Sequence, residues 1–307
     1  MILRIGTRGS KLALAQSRWV KARIEGEHPR VQVELVRIRT TGDKILDSPL
    51  SKIGGKGLFV KEIEDALLEN RVDLAVHSMK DVPVELSSGL TICTFPERED
   101  PHDALISKGN QTLDRLPHGS KVGTSSLRRK AQLLYLRSDL DLVPLRGNVD
   151  TRLSKLESGD LQAVILAAAG LMRLGLASRI SERLSLRRLI PAVGQGALGL
   201  EVRRDDAKTI GLLGFINHGP TEMVIRAERA FLKEMEGGCQ VPIAAFGQLE
   251  GEKLHLEGMV ADLDGTRLLR DKAVGEKDEP ELIGICLANR LLDSGGREIL
   301  RGIYGKQ

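Results

Sequence analysis

Residues 121–129 read Lys121-Val122-Gly123-Thr124-Ser125-Ser126-Leu127-Arg128-Arg129. Their pattern changes from one typical of a strand to one typical of a helix within a single turn. We predict a strand over Lys121–Gly123 and a helix over Ser125–Leu136. The first turn of such a helix leaves main-chain N–H groups without partners, and these groups bind anions. Arginine adds a planar fork that matches a carboxylate or a phosphate. The stretch therefore indicates an α/β unit with an anion site at the end of its strand.

Arginine recurs in similar frames of glycine, serine and threonine. These further frames are Gly6-Thr7-Arg8-Gly9-Ser10, Arg146-Gly147-Asn148-Val149-Asp150-Thr151-Arg152 and Gly170-Leu171-Met172-Arg173. Each frame alone is also consistent with an ordinary surface arginine beside an ordinary turn. Their recurrence favours one polyanionic ligand, or several anions bound at once.

Strand and helix signals alternate through the first two-thirds of the chain, which predicts parallel βαβ units. The other strands are expected at Leu3–Gly6, Val31–Ile38, Val72–His77, Leu140–Leu145 and Ala163–Ala167, and the other helices at Lys11–Ile24, Gly57–Glu69 and Thr151–Glu157. Ligands of such sheets bind beyond the carboxyl ends of the strands. Because His77-Ser78, Arg146-Gly147 and Ala169-Gly170 all follow strand ends, we expect a shared ligand site.

Several local features complete this interpretation. Ser10 is expected to cap the helix at Lys11–Ile24, whose Leu12, Ala15, Trp19 and Ala22 fall near one face. The segment Thr40–Gly57 has many glycine, lysine and aspartate residues, and its length predicts a mobile functional loop.

The last third of the chain has the pattern of a small α+β domain. We predict a helix at Thr221–Glu236, strands at Val241–Leu249, Leu254–Asp262 and Thr266–Arg270, and a closing helix that runs to Leu292. Asp278 is expected to cap the closing helix, and Cys286 to lie on its inner face.

The composition of the 307 residues excludes several classes of protein. Aromatic residues make up 3%, too few for the stacking platforms that bind single-stranded nucleic acid. A formal net charge of +4 is small for a duplex-binding surface. The N-terminal segment has no signal-peptide pattern, and no apolar run is long enough to cross a membrane. Three widely spaced cysteines fit neither a disulfide framework nor a zinc site, so we expect a cytoplasmic protein.

Two residues are candidates for chemistry. Asp81, in His77-Ser78-Met79-Lys80-Asp81-Val82-Pro83, is placed to move protons or to stabilise a developing cation. Local sequence is equally consistent with a turn or cap before Pro83. Cys239, in Gly237-Gly238-Cys239, is either a small buried apolar residue or a thiol that carries a covalent group. No segment of the sequence has the residue spacing of a nucleotide-binding loop or of a set of metal ligands.

Taken together, the chain resembles the porphobilinogen deaminase family. The resemblance runs in order over essentially the whole chain. Its motifs are Ile5-Gly6-Thr7-Arg8, Gly54-Gly55-Lys56-Gly57-Leu58-Phe59, His77–Pro83, Gly123–Arg129, Leu145-Arg146-Gly147-Asn148, Gly194-Gln195-Gly196-Ala197 and Gly238-Cys239.

The resemblance implies a transferase of tetrapyrrole synthesis, hydroxymethylbilane synthase. Such an enzyme joins four porphobilinogen units head to tail, releases ammonia and finally hydrolyses off hydroxymethylbilane. It implies a dipyrromethane cofactor held covalently by the Cys239 sulfur, and Asp81 as the catalytic carboxylate. Each pyrrole carries an acetate and a propionate, which explains the arginine frames.

The resemblance also implies a set of binding residues. Implied cofactor contacts are Ser78, Lys80, Thr124, Ser125, Ser126, Arg128, Arg129, Arg146 and Gly147. Implied substrate contacts are Arg8, Gln16, Lys56, Arg152, Arg173 and Gln195. No metal, nucleic-acid or membrane partner is implied, and we expect a monomer.

The implied fold has two α/β domains similar to type II periplasmic binding proteins, followed by a small C-terminal α+β domain. The expected boundaries are residues 1–96 with 197–214, residues 97–196, and residues 218–307, the last carrying Cys239. Two rival functions remain at this point. They are a non-catalytic anion-binding module, against which the missing signal peptide and the Cys239 loop count, and a nucleic-acid binder.

Overall fold

The computed structural model describes residues 1–44, 60–236 and 241–305. The strands are β1 (Ile2–Thr7), β2 (Gln32–Arg37), β3 (Leu74–Ser78), β4 (Leu90–Thr94), β5 (Asp103–Ser107), β6 (Lys121–Gly123), β7 (Asp141–Val143), β8 (Ala163–Ala167), β9 (Glu182–Leu184), β10 (Leu198–Arg203), β11 (Ile243–Glu250), β12 (Lys253–Ala261) and β13 (Leu268–Glu276).

The α-helices are α1 (Lys11–Glu27), α2 (Thr41–Lys44), α3 (Lys61–Leu68), α4 (Leu127–Leu136), α5 (Val149–Ser158), α6 (Ala168–Arg173), α7 (Ala207–Leu213), α8 (Gly219–Glu234), α9 (Pro280–Leu291) and α10 (Arg297–Tyr304). Short 3₁₀ turns lie between several elements, and one of them, Met79–Asp81, follows β3 directly.

The chain divides into two compact units, Met1–Glu99 with Gly196–Glu222, and Asp100–Gln195 with Met223–Gln307. The first unit contains a five-stranded sheet in the order β2-β1-β3-β10-β4. Strand β1 pairs in parallel with β2 and with β3, whereas β10 is antiparallel to both β3 and β4. The carboxyl ends of β1, β2 and β3 therefore meet at one edge of the sheet.

The second unit contains a sheet of the same plan and a smaller one. Its five-stranded sheet has the order β7-β6-β8-β5-β9, with β6 parallel to β7 and β8 and with β5 antiparallel to β8 and β9. The smaller sheet, β11-β12-β13, is antiparallel throughout. The α/β class and the additional small sheet domain are thus confirmed, while each large sheet is mixed rather than wholly parallel.

Both large sheets are buried on their two faces, which explains why their central strands are almost entirely apolar. In the first unit, Val20 and Ile24 of α1 pack on one face, and Ile63 and Leu67 of α3 pack on the other. In the second unit, Leu133 of α4 belongs to one apolar cluster and Leu153 and Leu156 of α5 to the other. The helices thereby fix the loops that lead into them.

The small sheet packs against α8 and α9. Phe231 of α8 is fully buried, and it lies so close to Gly258 of β12 that a Cβ there would come within 2.7 Å of the ring. Ala131 of α4 and Ile190 join Phe246 and Met259 of the small sheet in one apolar cluster. The small sheet is therefore packed directly on the α/β part of the second unit.

Three predicted details are wrong. The buried face of α1 is formed by Gln16, Ser17, Val20 and Ile24, and Trp19 is 46% exposed. Cys286 is exposed, because the inner face of α9 is formed by the neighbouring Ile283 and Leu287. Glu279, not Asp278, precedes α9, and its side chain makes no capping hydrogen bond. The mobile loop expected at Thr40–Gly57 lies outside the described residues except for its first turn, where α2 forms.

Candidate active site

In the first unit, the candidate residues gather at the carboxyl ends of the adjacent parallel strands β1 and β3. Arg8 follows β1 directly and is half-buried, and the turn with Lys80 and Asp81 follows β3. Ser10 caps α1 as predicted, because its side chain accepts a hydrogen bond from the Ala13 N–H at 3.2 Å. The two strands therefore bring together residues that lie some seventy positions apart in the sequence.

A direct hydrogen bond links α1, the helix that follows β1, to the end of β3. Gln16, buried in α1, donates from Nε2 to the Ser78 hydroxyl at 2.9 Å. A polar residue on the inner face of an amphipathic helix needs such a partner, because a buried amide without one is costly. This contact explains why α1 buries Gln16 instead of Trp19.

The turn with Asp81 is held by its buried first residue. The Met79 side chain is 2% exposed, and its N–H donates to the Ala197 carbonyl at 3.0 Å. A Cβ at Gly199 would lie 2.2 Å from the Met79 sulfur, so the fit requires glycine in β10. Asp81 itself is exposed and Lys80 is half-buried. The turn therefore presents a carboxylate from a rigid support.

A buried polar pair lies directly behind this turn. His77 Nε2 is 2.8 Å from Glu201 Oε2, and both side chains are at most 5% exposed. Glu64 of α3 lies near enough to interact electrostatically with both, and its Oε2 accepts a hydrogen bond from Ser87 at 2.5 Å. Burial raises the pKa of the Glu64 carboxyl, and the nearby Glu201 adds to that rise. His77 thus fixes the end of β3, as its buried sequence context indicates.

In the second unit, the loops after β6 and β7 are tied to each other. The Ser125 hydroxyl donates to the Leu145 carbonyl at 2.9 Å and accepts from the Leu145 N–H at 3.0 Å. The Thr124 N–H donates to the Val143 carbonyl at 2.9 Å. Ser126 caps α4 by accepting a hydrogen bond from the Arg129 N–H at 3.4 Å. A capped turn therefore stands at the amino end of α4, where the sequence predicts an anion site.

Three further arginines follow the strands β7 and β8 of the same sheet. Arg146 follows β7 and is half-buried, as is Arg173 at the end of α6. Arg152 donates from Nε to the Gly147 carbonyl at 2.8 Å. Gly147 has φ +112°, a left-handed conformation that favours glycine, and a Cβ there would lie 2.7 Å from the Thr151 side chain. The glycine is thus required for the arrangement of this turn.

Arg128 and Arg129 are almost completely buried and share one carboxylate, that of Asp103. Arg128 Nη1 donates to Asp103 Oδ2 at 2.7 Å, and Arg129 Nε donates to Oδ1 at 2.8 Å. Gln195, fully buried, donates from Nε2 to Asp103 Oδ1 at 3.1 Å and to the Pro101 carbonyl at 2.7 Å. Three of the candidate residues therefore meet at one buried acid.

The ionisation of Asp103 and of the two arginines depends on their burial and on the charges that they place beside each other. Burial alone would raise the pKa of the Asp103 carboxyl, but Arg128 and Arg129 outweigh it and hold that pKa well below its usual range. Burial lowers the pKa of the Arg129 guanidinium, and the adjacent Arg128 charge acts in the same direction against Asp103. The two guanidinium groups therefore favour the ionised form of Asp103.

Sequence reasoning missed Asp103 and Glu201. One signal was present for Asp103, because two consecutive arginines on a helix that faces a core require an acid partner. The sequence does not say which acid supplies it. Lys56 and Cys239 lie outside the described residues. Among residues 1–44, 60–236 and 241–305, no cluster of histidine, cysteine and acidic side chains is arranged to hold a metal ion, and no helix is long and apolar enough to cross a bilayer.

Two family models match the chain. Residues 3–211 match a model described as "Porphobilinogen deaminase, dipyromethane cofactor binding domain", and residues 223–293 match "Porphobilinogen deaminase, C-terminal domain". Curated relatives match over nearly the full length. A porphobilinogen deaminase from Geotalea uraniireducens is 53% identical over 99% of this chain and 96% of its own, and one from Geobacter metallireducens is 55% identical over the same shares.

Two solved structures align with the chain at low similarity. The periplasmic aliphatic sulphonate binding protein SsuA from Escherichia coli aligns with a TM-score of 0.42 at 14% identity, over 76% of this chain and 70% of its own. A lipoprotein of the YaeC family from Enterococcus faecalis aligns with a TM-score of 0.43 at 16% identity, over 70% of this chain and 90% of its own.

Proposed function

We propose, because this chain belongs to the porphobilinogen deaminase family, that Asp81 and Cys239 are the residues through which it performs that family's reaction. The enzyme is a transferase of tetrapyrrole biosynthesis. It condenses four porphobilinogen units head to tail with loss of ammonia on a dipyrromethane primer, and then releases hydroxymethylbilane by hydrolysis.

The residues of the second unit suit the carboxylates of a dipyrromethane. Arg128 and Arg129 bring two positive charges to one acid, and the buried Nε of Arg128 has no hydrogen-bond partner among the described residues. The hydroxyl residues Thr124, Ser125 and Ser126 add donors at the start of α4. When bound, the cofactor supplies the pyrrole carbon to which the first substrate unit is joined. We assign to its binding these five residues and Ser78, Lys80, Arg146 and Gly147.

Cys239 is the proposed attachment point. The reactive form of cysteine is the thiolate, and burial raises the pKa of the Cys93 thiol, so Cys93 is a poor nucleophile. Cys286 is exposed on α9. The glycines before Cys239 favour a sharp bend that leaves room around its sulfur. These features support Cys239 over Cys93.

Asp81 is the proposed catalytic residue, and one observation carries the assignment. Its carboxylate is exposed on a turn whose first residue, Met79, is buried and hydrogen-bonded to the main chain of residue 197. Loss of ammonia from porphobilinogen leaves a cationic azafulvene. A carboxylate in a fixed position stabilises that cation more effectively than a mobile one, because it needs no reorganisation as charge develops.

The remaining arginines are proposed to bind substrate carboxylates. In the first unit, Arg8 follows β1 and Gln16 lies on α1. In the second unit, Arg152 lies in the first turn of α5 and Arg173 ends α6. Lys56 and Gln195 complete the proposed substrate set. Guanidinium forks suit a growing chain that gains an acetate and a propionate with each unit.

We further propose three domains, residues 1–96 with 197–214, residues 97–196, and residues 218–307. The separate sheet formed by β11, β12 and β13 supports the third domain. We propose that the protein is a cytoplasmic monomer without a nucleic-acid partner. Cys93 and Cys286 are free thiols, as suits a reducing compartment.

Replacing Asp81 with asparagine tests the catalytic assignment. Asp81→Asn keeps the shape but removes the charge, so we expect kcat for porphobilinogen consumption to fall by about 10²–10³, the usual loss for a charge-stabilising group. Cofactor content, measured by intact mass, should not change. The matched control is Glu85→Gln, which removes another exposed carboxylate four residues away. Turnover of Asp81→Asn equal to that of the control would exclude the role.

A further inference from the structure

Asp103 connects two arginines of the proposed cofactor site to the core of the second unit. It is the first residue of β5 and is fully buried. Its Oδ1 accepts hydrogen bonds from Arg129 Nε at 2.8 Å, from Arg128 Nη2 at 3.1 Å and from Gln195 Nε2 at 3.1 Å. Its Oδ2 accepts a hydrogen bond from Arg128 Nη1 at 2.7 Å. Every oxygen of this carboxylate is therefore used to orient a donor.

The charges of this group do not balance. One carboxylate faces two guanidinium groups, and their other acceptors are the neutral carbonyls of Ile190 and Ile165. These contacts leave one positive charge in excess in a buried place. In addition, Arg128 Nε is buried and has no hydrogen-bond partner within the described residues. A buried charge of this kind is costly unless an anion compensates it.

The excess charge lies at the amino end of a helix. Arg128 and Arg129 are the second and third residues of α4, a helix of ten residues capped by Ser126. The helix dipole and the free N–H groups of the first turn also favour an anion there. Arginine orientation, excess charge and helix terminus thus point to the same kind of ligand group, an anion, and the anionic groups of a dipyrromethane are its carboxylates.

We propose that Asp103 is a positioning residue for the dipyrromethane cofactor. It holds Arg128 and Arg129 in one fixed orientation, and because it neutralises only one of their two charges, it leaves one positive charge for one cofactor carboxylate. This inference rests on the proposed cofactor-binding role of the two arginines. Nothing in it requires Asp103 to touch the cofactor.

A purely structural role for Asp103 makes a different prediction. In that case, replacing Asp103 would lower stability, and any loss of cofactor would follow the loss of stability. In a positioning role, cofactor loading falls further than in a variant of equal stability. Loading is measured as the fraction of purified chains that carry the cofactor mass, and it does not depend on the activity of the loaded enzyme.

The test compares three variants of the full chain. Asp103→Asn keeps the shape but places an amide N–H₂ among guanidinium donors, so at least one arginine loses its acceptor. Leu113→Ala removes a fully buried side chain of the same unit and serves as the stability control. Asp139→Asn removes the acid of a more exposed pair, in which Arg137 donates to Asp139 at 2.6 and 2.7 Å, and serves as the charge control.

We expect the ratio of loaded to bare chains to fall about tenfold in Asp103→Asn, because one misplaced guanidinium group removes a charged contact worth a factor of that order. Both controls should load as the wild type does. Wild-type loading of folded Asp103→Asn would overturn the inference. Equal losses in Asp103→Asn and Leu113→Ala would overturn it as well, because loading would then follow stability.

Asp103→Glu is the second variant, for the case that Asp103→Asn is insoluble. It keeps the charge but moves the carboxylate by one methylene, so the contacts to both arginines cannot be kept at once. Reduced loading of folded Asp103→Glu supports positioning, and full loading with an unchanged KM contradicts it. Absence of the cofactor from the wild-type chain would instead contradict the proposed function, and this outcome separates the two proposals.

Discussion

Gly199→Ala is the substitution that most directly tests how the fold positions Asp81. Gly199 is buried in β10 opposite His77, and an added Cβ would lie 2.2 Å from the Met79 sulfur and 3.1 Å from Ile92 Cγ2. Real side chains do not pack at the first distance, so Met79 must move. Overpacking of this kind costs about 1–3 kcal/mol, which lowers Tm by several degrees.

The same displacement should reach the catalytic turn, because Met79 is its first residue. A misplacement of about 1 Å in a catalytic group can lower the rate about 10²-fold. We therefore expect kcat for porphobilinogen consumption to fall by about that factor in protein that still carries the cofactor. The assays are thermal unfolding, intact mass and steady-state turnover.

Gly211→Ala is the matched control in the same unit. No atom lies within 4 Å of the added Cβ, and alanine is the better helix former in α7 by roughly 0.5–1 kcal/mol, so neither Tm nor turnover should fall. The reasoning is refuted if Gly199→Ala keeps the wild-type Tm. It is also refuted if Tm falls and kcat does not, because the turn would then be independent of the Met79 packing.

Two further predictions concern charge. The pKa of Glu64 is higher in the folded than in the unfolded chain, so its contribution to stability is present at low pH and is lost as the pH rises through the folded pKa. The Tm of Glu64→Gln relative to the wild type should therefore increase as the pH rises above the ordinary carboxyl pKa of 4.5, and a pH-independent or decreasing difference would contradict this. Arg146→Leu should impair cofactor assembly or chain elongation while leaving Tm within a few degrees of the wild type, as measured by intact mass and single-turnover product analysis; global loss of fold would indicate a structural arginine instead.

The strands that carry the site were predictable because their local signals agree. The predicted bounds of Lys121–Gly123 and Ala163–Ala167 agree with the structure, since Thr124, Ser125 and Ser126 follow the first strand and the second is an apolar run. The α/β plan and the cap at Ser126 follow from the same kind of signal. These features depend on residues that are neighbours in the sequence.

The errors arise where a distant partner decides the outcome. The inner face of α1 contains Gln16 because Ser78, sixty-two residues away, satisfies its amide. Asp103 lies about twenty-five residues before the arginines that it orients, and Glu201 lies far from His77. Mixed sheet topology likewise depends on β10, which enters the first sheet from late in the sequence. Periodicity and spacing carry no information about such pairs.

The mass of the purified, active protein tests the central claim most directly. We predict an excess equal to one dipyrromethane, located by peptide mapping on the segment with Cys239 and absent from those with Cys93 and Cys286. Cys239→Ser should remove both the excess and the activity, whereas Cys286→Ser should remove neither. A fully active chain with an unmodified Cys239 would contradict the account.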